Sequence, residues 1–103
     1  MEETKTEVKK NYHPNGRLKE EIPYVKGKQH GLVKIYYENG AILNEIPMVN
    51  GQVHGTVRVY TETGKLVNEI PYQNDKKNGE VKYFDKNGKV YKTELFKNGF
   101  KLS

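Results

Sequence analysis

Residues 36–60 read YYENGAILNEIPMVNGQVHGTVRVY, and nearly every landmark in that stretch returns 24 residues earlier or later. Gly16, Gly40, Gly64 and Gly88 hold one phase, and Tyr12, Tyr36, Tyr60 and Phe84 hold another. Glu-Ile-Pro occurs at 21–23, 45–47 and 69–71, while His30-Gly31 returns as His54-Gly55 and then as Asn78-Gly79. Val33, Val57 and Val81 complete the unit, with no insertion or deletion from residue 8 to residue 100. A fixed period of this length marks a chain built from one supersecondary motif that stacks on copies of itself.

Each unit reads as two short strands. Asn15-Gly16, Asn39-Gly40 and Asn87-Gly88, with Thr63-Gly64 in the same frame, are two-residue turn signals, and Asn-Gly predicts a type I′ turn. β-rich runs such as 32–37 and 42–48 lie between them, and a second connection follows at 25–30, 49–54, 73–78 and from 97 onward. Gly27, Gly51 and Gly99 sit in that second connection, with Asp75 as the one substitute. Helical periodicity is absent. The expected fold is all-β: an elongated, single-layer antiparallel meander of repeated hairpins. Residues 1–7 are expected to be a flexible polar tail and 8–103 one repeat domain, with units of about 12–35, 36–59, 60–83 and 84–103.

A turn at Asn39-Gly40 pairs residues whose numbers sum to 79, so Lys34 faces Glu45, Val33 faces Ile46 and Tyr36 faces Leu43. A second hairpin centred on Gly27-Lys28 gives pairs that sum to 55, placing Glu21 opposite Lys34 and Ile22 opposite Val33; a two-residue slip there stays open. Together the registers lay Lys10, Glu21, Lys34, Glu45, Arg58, Glu69 and Lys82 in one row of alternating sign, ending at Thr93. The row Ile22-Val33-Ile46-Val57-Ile70-Val81 occupies the opposite face. Tyr12, Tyr36, Leu43, Tyr60, Val67, Phe84 and Tyr91 are expected beside the charges. Each charge pair contributes about 0.2–1 kcal/mol, so the ladder sets register more than it supplies stability. Pro23, Pro47 and Pro71 each remove a ladder donor, which predicts one bulge or bend per unit.

Composition agrees with a thin structure. Only 34% of residues are hydrophobic, too few for a thick two-layered core, yet eleven aromatics argue against disorder. The chain has no cysteine, hence no disulfide and no thiolate site. Its net charge of +5 comes entirely from residues 76–103, where eight lysines meet three acidic residues. The first residues lack the basic and apolar regions of a signal peptide, and no run approaches the ~18 apolar residues of a membrane span. A cytoplasmic location is expected if the chain is complete, and an envelope or secreted one if a leader has been removed.

Catalytic chemistry finds little footing, and the chain is expected not to be an enzyme. Ser103 is the only serine. Adjacent Glu20 and Glu21 point to opposite faces of a strand. His30 and His54 sit in equivalent loops two strands apart, roughly 9–10 Å at ~4.8 Å per strand, too far to share a metal bound at ~2 Å by each ligand. His13 has no candidate partner. No cofactor is expected. Tyr36, Leu43, Tyr60, Val67, Phe84 and Tyr91 are the candidate partner-binding residues, because the second apolar row lacks a covering layer. Lys82, Lys86, Lys89, Lys92 and Lys97 form a candidate basic patch for an acidic partner. Nucleic acid is not expected, since the aromatics among these lysines continue the sheet's own rows and only Arg17 and Arg58 could supply forked contacts. A protein partner leads. Self-association, including a homodimer, and anionic lipid are the alternatives.

The unit formed by Tyr36-Tyr37-Glu38-Asn39-Gly40, Glu45-Ile46-Pro47, Gly51 and His54-Gly55-Thr56-Val57 resembles the MORN-repeat variant found in bacteria, among proteins grouped as YwqK-family antitoxins. The resemblance spans about residues 8–100. It implies stacked hairpins in one elongated sheet, and immunity to a partner toxin or another protein-binding role. Related eukaryotic repeats are associated with membrane lipids and dimerisation. Asp75 in place of the loop glycine, Asn78 in place of the histidine, and a fourth unit that ends before its His-Gly depart from the pattern, and would blur a site on the C-terminal loop edge.

Overall fold

Every unit closes two hairpins, and the two close by different turns. In a computed structural model describing residues 5–103, the strands are β1 (Thr6–Tyr12), β2 (Leu18–Val25), β3 (Lys28–Gln29), β4 (Gly31–Tyr36), β5 (Ile42–Val49), β6 (Gln52–Val53), β7 (Gly55–Tyr60), β8 (Leu66–Gln73), β9 (Lys76–Lys77), β10 (Gly79–Phe84), β11 (Val90–Lys97) and β12 (Phe100–Lys101). They form one antiparallel sheet in the order β1-β2-β4-β5-β7-β8-β10-β11-β12, with the two-residue arms β3, β6 and β9 on β2, β5 and β8. The radius of gyration is 15.5 Å and the extents are 46 × 35 × 20 Å, against about 13 Å for a compact chain of ~100 residues. The expected single-layer hairpin meander is the fold. β1 already begins at Thr6, inside the segment expected to be a tail, and residues 1–4 of that tail lie outside the described residues.

The turns at Asn15-Gly16, Asn39-Gly40 and Asn87-Gly88 are not type I′, nor is the one at Thr63-Gly64. Positive φ there falls on the glycines alone, 87° at Gly16, 92° at Gly40, 88° at Gly64 and 82° at Gly88. The Gly40 N–H donates to the Tyr37 carbonyl (3.0 Å) and the Tyr37 N–H to the Ala41 carbonyl (2.8 Å), the bonding of a type I turn closed by a left-handed glycine bulge. Asn39 stays at negative φ because its Oδ1 accepts the Ala41 N–H (2.9 Å), a local bond that replaces the mirror-image turn. Type I′ geometry appears instead at the second connection. Lys26-Gly27 has φ 51° and 79°, Asn50-Gly51 48° and 85°, Asn74-Asp75 50° and 70°, and Asn98-Gly99 49° and 88°. The second hairpin is therefore centred one residue earlier than Gly27-Lys28.

Both registers carry an irregularity at a fixed place. Lys34 pairs with Glu45 and Val33 with Ile46 as expected, but the turn bulge makes Tyr36 pair with Ile42 rather than Leu43. In the second hairpin Tyr24 pairs with Gln29 and Val25 with Lys28 at the tip, whereas Glu21 pairs with Lys34 and Glu20 with Ile35 farther out. The tip thus follows the slipped register and the outer part the unslipped one. The β2–β4 ladder holds only those two outer pairs, so the expected Ile22–Val33 pair is not part of it. Because the shift is two residues, side chains keep their faces across it; one residue would have reversed them all.

Proline and glycine together make that shift. Pro23 has no N–H to offer, and its carbonyl accepts the His30 N–H (3.0 Å). Gly31, at φ 115°, brings its backbone so close that an added Cβ would lie 3.2 Å from Pro23 Cγ; the distances are 2.9 Å for Gly55 on Pro47 and 3.0 Å for Gly79 on Pro71. Glu-Ile-Pro and His-Gly are thus two halves of one device. In the fourth unit Leu95 and Ser103 stand in place of the proline and the glycine, and the Leu95 N–H donates to the Ser103 carbonyl (2.9 Å).

Apolar burial concentrates on the face opposite the charges. Val33, Val57 and Val81 are 6%, 8% and 1% exposed, and no other apolar side chain among the described residues is fully buried. With no second layer, the valines are covered by their row neighbours and by the twist of the sheet itself.

Gly55→Ala is expected to cost about 1–3 kcal/mol through collision and backbone strain. Gly51→Ala, where open space surrounds the added carbon, carries only the left-handed penalty of about 1 kcal/mol. Urea unfolding should rank the two in that order, with Pro47→Ala restoring part of the Gly55→Ala loss; equal costs would refute the proline–glycine contact.

Candidate functional site

The alternating row exists as the registers predict. Lys10–Glu21, Glu21–Lys34, Lys34–Glu45, Glu45–Arg58, Arg58–Glu69, Glu69–Lys82 and Lys82–Thr93 are all direct strand pairs. One of them closes into an ion pair among the described residues, Arg58 Nε to Glu69 Oε2 at 2.9 Å. The other glutamates take tyrosine hydroxyls. Tyr36 donates to Glu21 Oε1 (2.7 Å) and Tyr60 to Glu45 Oε1 (2.6 Å). Phe84 stands in the third such place without a hydroxyl, and there Glu69 turns to Arg58. Tyr36 and Tyr60 therefore serve the ladder at their polar ends and the apolar row with their rings.

That apolar row differs in membership from the expected one. Its paired residues are Tyr12–Leu18, Tyr36–Ile42, Tyr60–Leu66 and Phe84–Val90, because the turn bulge sets Leu43, Val67 and Tyr91 one place off the pairing. The Tyr91 ring instead lies 6.5 Å from Tyr83, a residue of the valine face. Of the candidate residues, Tyr36, Leu43, Tyr60 and Phe84 are half-buried, whereas Val67 and Tyr91 are exposed.

Six further accessible apolar side chains of the ladder face were not among the candidates. Val8, Tyr12, Leu32, Val49, Leu95 and Phe100 are each at least 40% exposed, and strand alternation places all six on the side of Lys34 and Glu45. Their signal was available: Val8 and Leu32 share a repeat phase two residues from the ladder lysines, as Val49 lies four from Glu45.

The basic patch does not form a single surface. Lys82 lies on the ladder face, paired with Thr93, while Lys92 lies on the valine face with its Nζ 5.2 Å from the centre of the Tyr83 ring. Lys86 and Lys89 sit in the turn after β10, and Lys97 at the opposite end of β11. Glu94 gathers the neighbouring charge, accepting Tyr83 Oη (2.7 Å) and Lys101 Nζ (3.0 Å), with Lys92 Nζ at 3.9 Å. Those bonds hold its carboxyl below the ordinary range, the tyrosine hydroxyl foremost.

Both rows of loops are stitched from unit to unit. Asn15 Nδ2 donates to the Glu38 carbonyl (3.0 Å) and Asn39 Nδ2 to the Glu62 carbonyl (3.1 Å). His13, expected to lack a partner, donates from Nε2 to the Tyr36 carbonyl (2.9 Å). On the other row the Gly51, Asp75 and Gly99 N–H groups donate to the carbonyls of Gln29, Val53 and Lys77 at 2.8–2.9 Å. His30 Nδ1 accepts the Asn50 N–H (3.2 Å), and Asn78 Oδ1 accepts the Asn98 N–H (3.1 Å) in the equivalent place. Asn78 thus performs the histidine's task, and Asp75 both keeps the left-handed turn and accepts the Val53 N–H (2.7 Å). These departures leave the loop edge regular.

Among the described residues no cluster of His, Asp and Glu has metal-binding form, and no pocket is present. The surface offers a charge-striped face edged with apolar side chains, a form suited to protein contact. Residues 8–26, 29–50, 53–74 and 77–98 each match the family described as MORN repeat variant. These segments cover most of the chain, which belongs to that family of repeat modules, generally non-enzymatic in character. No curated protein matches the chain.

Burial, together with the bond to Glu21, pushes the Tyr36 hydroxyl up to about 12. A raised folded value means a contribution fully present below the unfolded value near 10 and lost as pH rises through about 12. Thermal melts between pH 9 and about 12 should show the wild type losing stability, and Tyr36→Phe losing less over the same window. Parallel curves would remove the Tyr36–Glu21 bond from the alkaline transition.

Proposed function

We propose that this protein is a non-catalytic protein-binding module that docks its partner on the ladder face of the sheet. The observation that carries the reading is the asymmetry of the two faces. The valine face buries its central row, while Tyr12, Leu32, Val49, Leu95 and Phe100 are exposed around half-buried Tyr36, Tyr60 and Phe84 on the other. Exposed apolar side chains collected on one face, among charges of both signs, are what a specific protein interface requires. The resemblance to antitoxin-grouped repeat proteins narrows the partner to a bacterial toxin that this chain would neutralise by binding. Anionic lipid fits less well, because the lysines are divided between both faces and both ends of β11 and present no single cationic surface.

Leu32 and Val49 make better probes than Tyr60, whose hydroxyl holds Glu45. Leu32→Asp/Val49→Asp should leave the melting temperature nearly unchanged. The same variant should weaken capture of a partner identified by mass spectrometry at least tenfold, when affinity is remeasured with purified components. Undiminished affinity in a folded variant would move the contact off this face, and sedimentation of the bait alone as a dimer dispersed by the same variant would replace the partner with a second copy.

A further inference from the structure

The two ends of the sheet differ in a way that the repeat makes measurable. At the C-terminal end four departures act together. Glu94 takes the place of the row isoleucine and is bound by Tyr83, Lys101 and Lys92. Thr93 ends the charge ladder, and Leu95 and Ser103 replace the proline and glycine and bond to each other, so that residues 100–103 fold back along β11. An inward-pointing charge, satisfied within its own chain, and an edge covered from Leu95 to Lys97 both work against further strands here.

The N-terminal end carries no such closure among the described residues. β1 is a seven-residue edge strand, exposed at every position except Asn11. By repeat phase it corresponds to β4, β7 and β10, each of which receives the preceding unit's strand through two residues: Lys34 and Ile35, Arg58 and Val59, Lys82 and Tyr83. The matching residues of β1 are Lys10 and Asn11. Lys34 and Arg58 stand between two ladder glutamates, but Lys10 has only Glu21, and its outer side faces solvent. Lys9 occupies the phase of Val33, Val57 and Val81, so the apolar row also ends in a cation on this edge. Neither lysine makes an ion pair among the described residues. The turn beside β1 is open in the same direction: the Tyr36 and Glu38 carbonyls accept His13 and Asn15 from the preceding turn, whereas among the described residues no such side chain reaches the matching carbonyls of Tyr12 and Pro14.

We propose that the outer edge of β1 is a docking site for an extended acidic strand of a partner protein, which adds antiparallel to β1 with one carboxylate beside Lys10 and a second, on the next residue, beside Lys9. Backbone bonds to the edge supply affinity and the two charges select register and partner. A second copy of this chain fits the edge poorly. Its β11, entering in phase, would bring Lys92 to Asn11, Thr93 to Lys10 and only Glu94 to Lys9, and Glu94 is already engaged. Lys10 also belongs to the ladder row, but Leu32 and Val49 lie on β4 and β5 away from this edge, so Leu32→Asp/Val49→Asp and Lys9→Glu/Lys10→Glu test the face and the edge separately.

The probe is a labelled peptide of residues 65–73 carrying Ile70→Glu and Pro71→Thr, which continues the Glu69–Lys82 pairing of β8 one residue further without the proline and so sets Glu69 and the new carboxylate against Lys10 and Lys9. Saturable binding by anisotropy is expected, weakened at least tenfold by Lys9→Glu/Lys10→Glu in the protein or by reversing both peptide charges. Amide shift changes should fall on β1 and leave β11 unmoved. Binding insensitive to both charge reversals, no saturation, or shifts centred on β11 would overturn the proposal. So would concentration-dependent self-association of the wild type that Lys9→Glu/Lys10→Glu abolishes, since the edge would then belong to a second copy.

Discussion

The close approach of Gly31, Gly55 and Gly79 to Pro23, Pro47 and Pro71 is the contact on which the rest of the sheet depends. Within each second hairpin the type I′ turn dictates one register at the tip while the pairs farther out keep another, and one uninterrupted ladder cannot carry both. The proline interrupts the ladder where a donor would otherwise be unpaired, and the glycine lets the opposing strand pass at a φ that other residues avoid. The offset is two residues, which preserves the allocation of side chains to faces. Without that parity the valine row and the charge row would exchange sides at every unit.

A single-layer sheet has little apolar area to bury, here three valines, so polar contacts between neighbouring units carry an unusual share of its order. They run along three lines. Side-chain amides and an imidazole join one row of turns, backbone N–H groups join the other, and tyrosine hydroxyls tie alternate strands to the ladder glutamates. A typical such bond contributes only about 0.5–1.5 kcal/mol net. Repetition makes them effective, because each unit contacts only its neighbours and stability grows with every interface added. Side chains engaged in this stitching are not free for a partner, which is why Tyr36 and Tyr60 support the ladder face while Leu32 and Val49 present it.

Much of this was legible in the sequence, and the reasons for success and failure are physical. Charge alternation and the valine–isoleucine phase are period-2 features of the pleat, so two correct pairs, Lys34 with Glu45 and Glu21 with Lys34, carried the entire ladder to Thr93. The turn types were read wrongly because Asn-Gly serves two geometries. The type I turn with its bulge is held by a local side-chain acceptor, Asn15 and Asn39 in the first two units and Thr61 and Asp85 in the last two, and those bonds are invisible in a pattern of letters. From this one error came the misplacement of Leu43, Val67 and Tyr91. The equivalence of His30 and Asn78 was hidden for the same reason: an imidazole nitrogen and an amide oxygen are unlike as residues and alike as acceptors. Of the candidate binding residues, the aromatic positions were found by repeat phase, but their exposure depends on curvature and on neighbouring side chains, which the period does not encode.

A translational array has two chemically different ends, and each exposes backbone groups that an inner unit would satisfy. The C-terminal end answers this over part of its length by breaking the repeat: an acidic residue in the apolar row, no proline, and a chain that bonds back to β11 from Leu95 to Lys97. The N-terminal strand keeps the repeat's register and turn but replaces the row valine with Lys9 and leaves Lys10 with one anion where Lys34 and Arg58 have two. Two unpaired cations on an edge discourage pairing with another such edge, because like charges would be brought together at the distance of cross-strand neighbours. The same two cations lower the cost of pairing with an acidic strand. Charge at an edge is therefore not simply protection: it admits one class of strand and turns away the rest, and in this chain the admitted class is the one whose sign continues the ladder.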